Sequence, residues 1–205
     1  MVADHEGGNT CVGIMGGTFD PLHLGHLAAA EEARVALGLA RVLFIPCGQP
    51  YHKQAEPLAS REDRYRMTVL GTADNAEFMP SRIEIDRPGP SYTIDTVRAL
   101  RRDNPQADYY VILGADAVNL VLTWKDHEAL FDECQFAVVS REGTDAGDIK
   151  VQVPQAFLER CHWLDMPALD ISSTMIRRRV SQRRPIRYLV PRPVEQYIEQ
   201  RGLYR

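Results

Sequence analysis

Gly16-Gly17-Thr18-Phe19-Asp20-Pro21-Leu22-His23-Leu24-Gly25-His26 follows a short apolar run, Cys11 to Met15, and precedes an alanine-rich helical pattern from Leu27 onward. That order predicts strand, glycine turn, helix. A helix N-terminus presents unpaired backbone N–H groups and a partial positive charge, so it seats phosphate. His23 and His26 stand there, three residues apart and therefore on neighbouring faces of one helical turn. The stretch points to chemistry on a phosphate and not to nucleotide binding alone.

Outward from it, strand-like and helix-like segments alternate. Arg41 to Pro46 reads as a second buried strand, Ser81 to Ile85 as a third, Tyr109 to Leu113 and Phe136 to Ser140 as two more. Ser60 to Ala73 reads as a helix with Ser60 as N-cap and Asp63 in a capping-box position. Thr93 to Arg102 reads as a helix stopped by Asn104-Pro105, and Ser172 to Ser181 and Val194 to Arg201 read as closing helices. The alternation predicts an α/β fold: a Rossmann-like doubly wound parallel sheet with helices on both faces and a small C-terminal helical extension. Ligands of such sheets bind beyond the carboxyl ends of the strands. That gives most weight to Gly16–His26, Cys47–Lys53, Gly114–Asp116 and Arg141. Gly48 to Ala59 and Glu142 to Asp148 are the two long loops; the first holds His52 and Lys53, the second reads as a connector.

The 205 residues fit one domain, 11–205, behind a polar, disordered tail over 1–10. With 44% hydrophobic and 25% charged residues the composition is that of an ordinary soluble protein. There is no membrane-length apolar run and no signal-peptide pattern at Met1 to Thr10. Four scattered cysteines (Cys11, Cys47, Cys134, Cys161) read as reduced thiols of a cytoplasmic protein. The net charge of −4 argues against a nucleic-acid partner. Cationic contacts to a polyphosphate must then be local, and Arg177, Arg178, Arg179, Arg183, Arg184 and Arg187 cluster near the end.

The first motif is not a P-loop, since no Gly-Lys-Ser/Thr follows, nor a dinucleotide fingerprint, since G-x-G-x-x-G is missing. His23 and His26 lack the H-E-x-x-H spacing of a zinc site. Two histidines capping a helix would also satisfy the pattern. Their types nonetheless suit nucleotidyl transfer. Attack on the α-phosphate of ATP builds charge on phosphate oxygens, and fixed imidazole N–H donors meet that charge without reorganising. An attacking phosphate is already ionised, so no base is needed. Catalysis is then positioning and electrostatics, with a metal bridging the departing phosphates. Cys47 reads as inert.

Ile171-Ser172-Ser173-Thr174-Met175-Ile176-Arg177 offers capping hydroxyls, free N–H groups and an arginine, a second phosphate cradle or an ordinary helix cap. Together the two motifs resemble the H-x-G-H nucleotidyltransferase superfamily. Pro50-Tyr51-His52-Lys53, Ser91-Tyr92-Thr93-Ile94-Asp95-Thr96, Gly114-Ala115-Asp116, Thr123-Trp124 and Tyr188-Leu189-Val190-Pro191 are similar to the bacterial nicotinate-nucleotide adenylyltransferases. The likeness runs from about Gly13 to Tyr204.

The resemblance implies transfer of AMP from ATP to nicotinate mononucleotide, giving deamido-NAD and pyrophosphate, with Mg2+ held by the ATP phosphates and by no protein side chain. It implies that His23, His26 and Arg177 are catalytic. Gly16, Gly17, Thr18, Phe19, Gly114, Asp116, Ser172 and Ser173 would join them in binding ATP, with Asp116 on a ribose hydroxyl. Lys53, Tyr92, Thr93, Asp116, Trp124 and Arg141 would bind nicotinate mononucleotide, with Trp124 stacked on the pyridine ring. It implies no nucleic-acid or membrane partner and leaves room for a homo-oligomer. Lys125 departs from the aromatic residue often found after that tryptophan; its ammonium serves an acidic pyridine substituent or points to water. The competing readings are another H-x-G-H transferase, such as phosphopantetheine adenylyltransferase or a cytidylyltransferase, and a nucleotide sensor that has lost the chemistry.

Overall fold

The apolar runs become one six-stranded sheet in the computed structural model, which describes residues 10–51, 58–141, 153–167 and 169–205. β1 (Thr10–Gly17), β2 (Arg41–Pro46), β3 (Phe78–Pro80), β4 (Ala107–Gly114), β5 (Gln135–Arg141) and β6 (Cys161–Met166) run parallel in the order β3-β2-β1-β4-β5-β6. This is the doubly wound α/β sheet that the alternation predicts. The order reverses between β1 and β4, and there the connections diverge and open a crevice at the strand ends.

Side chains of each strand alternate between two cores. Val12, Ile14, Ile45, Val111, Phe136 and Val138 serve one; Met15, Val42, Phe44, Ile112, Ala137 and Val139 serve the other. Burial on both faces is why the strands read as near-continuous apolar runs. α1 (Leu24–Ala36) lies on the second face through Ala30 and Ala33. α3 (Thr93–Asp103), α4 (His127–Glu133) and the short α5 (Gln155–Leu158) cover the first, through residues such as Val97, Leu130 and Phe157. α2 (Arg61–Thr72), α6 (Ser173–Ser181) and α7 (Arg192–Arg201) share a third cluster built on Met67, Ile176, Val194 and Ile198. That cluster seats the C-terminal helices.

The predicted caps hold. Ser60 Oγ accepts from the Asp63 N–H at 3.1 Å, and Ser172 Oγ accepts from the Met175 N–H at 3.2 Å. Several expectations need correction. Ser81 to Ile85 is not a strand: pairing with β2 ends at Pro80, and the alternating Ile83 and Ile85 belong to a turn closed by the Asp86 N–H on the Arg82 carbonyl at 3.0 Å. Gly16 and Gly17 prolong β1, paired with Ile45 and Pro46, so the turn starts at Thr18. α1 begins at Leu24, one turn before the alanine pattern. Thr10 belongs to β1, paired with Ala107, and not to the tail, whose residues 1–9 lie outside those described. β3, β6, α4, α5 and a 3-10 stretch from Ala115 to Thr123 have no counterpart in the sequence reading.

After β2 the chain passes so close to the 83–85 turn that a Cβ on Gly48 would stand 2.0 Å from the Glu84 carbonyl oxygen. The Gly48 N–H holds it there by donating to Ser91 Oγ at 3.1 Å. Gly48→Ala is expected to destabilise the fold by ~1–3 kcal/mol in urea unfolding, an overpacking effect. Gly16→Ala, whose Cβ would meet nothing within 4 Å, should leave the urea midpoint near that of the wild type.

Candidate active site

The turn after β1 delivers the chain to α1 at His23, which is the N-cap, with His26 three residues in. The two imidazoles stack with centroids 3.6 Å apart and planes 24° from parallel. The His23 N–H donates to His26 Nδ1 at 3.2 Å. A ring nitrogen that accepts carries no proton, so the neutral His26 ring bears its proton on Nε2. Phe19 meets the His26 ring edge-on at 5.1 Å and fixes its plane. Gly25 makes the stacking possible: a Cβ there would stand 3.1 Å from His23 Nδ1 and 3.7 Å from the Ile171 carbonyl oxygen.

Burial lowers the pKa of His23 to about 4. Burial first, and then the charge of His23, holds His26 well below the ordinary histidine value. Both rings are neutral near pH 7. His23 Nδ1 is buried and has no hydrogen-bond partner among the described residues. It lies at the start of α1, where the His23 side chain faces the His26 backbone N–H in capping-box geometry.

The histidines, Gly114, Asp116, Ser140 and Ile171 line a recess of about 320 Å³ at the carboxyl ends of β1, β4 and β5. Ser140 is fastened to Asp165, its Oγ 2.8 Å from Oδ1. Asp116, in the first turn of the 3-10 stretch, is exposed and, among the described residues, is the carboxylate facing the recess. A larger recess of about 770 Å³ shares no lining residue with this one; it is rimmed by Arg183, Arg184 and Arg187 near α6 and α7. The local basic run therefore divides. Those three arginines face elsewhere, and Arg179 Nε donates to the Pro185 carbonyl at 2.9 Å. Within that run, Arg177 is the arginine that bonds to the first motif.

The two sequence motifs meet at that motif's turn. Ser173 Oγ donates to the Pro21 carbonyl at 2.9 Å, and Arg177 Nη1 donates to the Asp20 carbonyl at 2.8 Å. Arg177 Nη2 adds a bond to Thr174 Oγ1 at 3.1 Å. Ser172 is occupied as the cap of α6.

Apart from Asp116, the described residues expected to bind the acceptor do not line that recess. Tyr92 caps α3 and packs on the Tyr51 ring at 5.0 Å. Thr93 is the first residue of α3. Trp124 ends the 3-10 stretch, half-buried at the margin of the first core. The Lys125 ammonium is paired: Nζ lies 3.1 Å from Asp95 Oδ2 and 4.8 Å from the Tyr92 ring centroid. Lys53 lies outside the described residues, as does the side chain of Arg141. Cys47 is inert, its thiol pushed up to about 11 by burial and by the charge of Glu84.

Two site-building residues escaped the sequence reading. Asp20, 4% exposed, accepts hydrogen bonds from the backbone of Leu58 and Ala59. Arg64, 1% exposed, donates to the Thr18 carbonyl at 2.8 Å and the Gly48 carbonyl at 3.1 Å. A signal for Arg64 was available: it shares a helical face with Met67, Thr68 and Gly71, all buried.

Residues 14–179 match the cytidylyltransferase-like family. A probable nicotinate-nucleotide adenylyltransferase of Moorella thermoacetica is 50% identical over 198 residues, covering 95% of this chain and 91% of that protein. The chain belongs to the nicotinate-nucleotide adenylyltransferase family. A further member, a probable nicotinate-nucleotide adenylyltransferase of Thermus thermophilus, is 47% identical over 194 residues, covering 95% of this chain and 99% of its own. The fold extends further than the sequence likeness. The Plasmodium falciparum nicotinic acid mononucleotide adenylyltransferase complexed with NaAD superposes with a TM-score of 0.76 at 18% identity, over 95% of this chain and 97% of that one.

The buried histidines give this family member a signature in pH. The unfolded chain takes up protons at these rings near the ordinary value of 6.5, while folded His23 resists protonation until about 4. The unfolded state therefore binds more protons, and stability falls as pH drops through that window. Urea midpoints measured from pH 7 to pH 4 should decline, and His23→Asn should flatten the decline. An unchanged slope in that variant would contradict the assignment.

Proposed function

We propose that the protein transfers AMP from ATP to nicotinate mononucleotide, releasing deamido-NAD and pyrophosphate. The observation that carries this reading is the pair of neutral, stacked histidines, His23 buried and His26 partly buried, at the switch point of the sheet. A phosphate oxygen of the mononucleotide attacks the α-phosphorus of ATP in line. The bond to the β-phosphate breaks, and pyrophosphate leaves with the electron pair. The attacking phosphate is largely ionised near neutral pH, so no base and no covalent intermediate are required.

His26 meets the charge that develops on the α-phosphate with its Nε2–H, already aimed because Nδ1 is tied to the His23 backbone. His23, which lines the same recess, borders the nucleotide beside it. Gly16, Gly17, Thr18 and Phe19 border the nucleotide as it crosses the end of β1. Gly114 and Asp116 take the ribose. Arg177, with Ser172 and Ser173, faces the β- and γ-phosphates; two of its donors are tied to Asp20 and Thr174 and the others are left for the ligand. Tyr92, Thr93 and Trp124 receive the pyridine ring, with Lys53 and Arg141 on the mononucleotide phosphate. Lys125, paired with Asp95, steadies Tyr92.

Mg2+ enters as MgATP, since triphosphate oxygens suit this hard cation. Among the described residues no three His, Cys, Asp or Glu side chains converge on one point. The reading puts the reaction in the cytoplasm; among the described residues no helix is long and apolar enough to cross a membrane.

Pyrophosphate release from MgATP should be seen with nicotinate mononucleotide, weakly with nicotinamide mononucleotide and not with phosphopantetheine. No release with either pyridine nucleotide would overturn the reading. His26→Ala should lower kcat by roughly a hundredfold or more with little change in KM for the mononucleotide. An effect on KM alone would remove His26 from the transition state.

Trp124→Ala should raise KM for the pyridine nucleotide more than KM for ATP. Equal rises would return Trp124 to the core.

A further inference from the structure

Asp20 is buried inside the first motif, and its carboxylate is heavily bonded. Oδ2 accepts from the Leu58 N–H at 2.9 Å; Oδ1 accepts from the Ala59 N–H at 3.1 Å and from Tyr204 Oη at 2.7 Å. Its backbone carbonyl holds Arg177 Nη1 at 2.8 Å, while the same guanidinium nitrogen stands 3.9 Å from Oδ2. One residue thus fastens three parts of the molecule: the turn that ends at His23, the backbone entering α2, and the arginine on the phosphate side.

Tyr204 reaches this carboxylate from beyond α7, after the left-handed Gly202 that ends the helix. Its own φ is 64°, a region costly for a residue with a side chain. Such backbone persists where the surroundings over-determine it, and often where function needs the geometry. Here the phenol lies against Met67 Sδ at 3.9 Å and is directed at Asp20. Burial and the charge of Asp20 raise its pKa, so the hydroxyl remains a donor.

We propose that Tyr204 is a positioning residue for adenylyl transfer: by donating to Asp20 it fixes the turn whose carbonyl orients Arg177 and whose end presents His23. The inference rests on the reaction proposed above. Without the phenolic donor, Oδ1 keeps only the Ala59 N–H and the carboxylate is left under-satisfied in a buried site. The nearest compensating charge is Arg177. The carboxylate then draws the guanidinium into a side-chain ion pair, away from the triphosphate.

The experiment compares Tyr204→Phe with Tyr197→Phe in the full chain. Tyr197 Oη also donates from α7 to a buried carboxylate, Asp63 Oδ1 at 2.8 Å, but that carboxylate makes no direct bond to the first motif and keeps a second donor in Arg201. Tyr204→Phe should lower kcat/KM for ATP roughly tenfold, the effect of losing one charge-assisted bond. KM for nicotinate mononucleotide should change by less than about twofold. Tyr197→Phe should lose comparable thermal stability and keep wild-type kinetics. Combined with Arg177→Lys, Tyr204→Phe should cost less than the product of the single effects, because both act through one contact. If Tyr204→Phe does not fold, Asp20→Asn, which keeps the size and one acceptor, should give the same selective loss toward ATP. A Tyr204→Phe enzyme with unaltered kinetics, or the same kinetic loss in both phenylalanine variants, would overturn the positioning role. Absence of pyrophosphate release in the wild type would instead overturn the reaction, so the two failures are separable.

Discussion

A guanidinium buried in the interior governs how the loops at the sheet's carboxyl edge are arranged. Arg64 reaches from α2 between the loops after β1 and β2 and bonds the Thr18 and Gly48 carbonyls. A buried charge without partners costs several kcal/mol, and a buried carbonyl without a donor costs about 1–3 kcal/mol. The two Nη nitrogens and the two carbonyls answer each other here, while Nε is buried without a hydrogen-bond partner among the described residues. The charge of Asp20 adds to the balance, although burial remains the largest influence and lowers the arginine's pKa. The result is a fixed distance between two loops that parallel strands alone would leave free. On one side of that brace lies the turn into α1; on the other, the close approach of Gly48 to Glu84.

The histidine pair depends on the brace and adds a constraint of its own. α1 begins where His23 turns its backbone N–H back to His26, so forming the helix cap also selects the His26 tautomer. Gly25 leaves room for the His23 ring, which a Cβ there would crowd. Burial then keeps both rings neutral. A charged imidazolium would bind ground-state triphosphate as strongly as the charge that develops later, which lowers KM without raising kcat. Neutral, pre-aimed donors favour the developing charge more selectively. One short sequence therefore supplies a helix start, a tautomer and a dry environment.

Much of this was legible in the residues. β2 runs from Arg41 to Pro46 as read, and α2 lies between its predicted Ser60 cap and Ala73. Both are local facts: an apolar run, and a hydroxyl before an acid. The meeting of the two motifs was legible only through resemblance, because Ser173 and Pro21 lie 152 residues apart. β6 was missed because Cys161-His162-Trp163-Leu164-Asp165-Met166 is neither continuously apolar nor cleanly alternating; it is a sheet edge with no buried residue. Ser81 to Ile85 alternates convincingly, yet its apolar residues pack from a turn. Period two reports which side chains are buried, not whether a ladder forms.

The polar residues that organise the site were the hardest to read, for a physical reason. Arg64 lies in Arg61-Glu62-Asp63-Arg64-Tyr65-Arg66, whose composition is that of a solvated face, and only its register with Met67 and Gly71 turns it inward. Asp20 precedes Pro21 and reads as an ordinary turn residue. What distinguishes each is the set of carbonyls, amides and hydroxyls that converge on it from distant parts of the chain. Propensity and periodicity describe neighbours in sequence, whereas a buried charge is tolerated only through neighbours in space. The arginines of the C-terminal run make the same point from the other side. They look alike in sequence, but only Arg177 lies one turn beyond the Ser172 cap, where its guanidinium meets the Asp20 carbonyl. Its neighbours Arg178 and Arg179 point away from that turn because a helix rotates about 100° per residue. The arginine that joins the two motifs is therefore selected by helical phase and by the fixed turn, not by the density of positive charge.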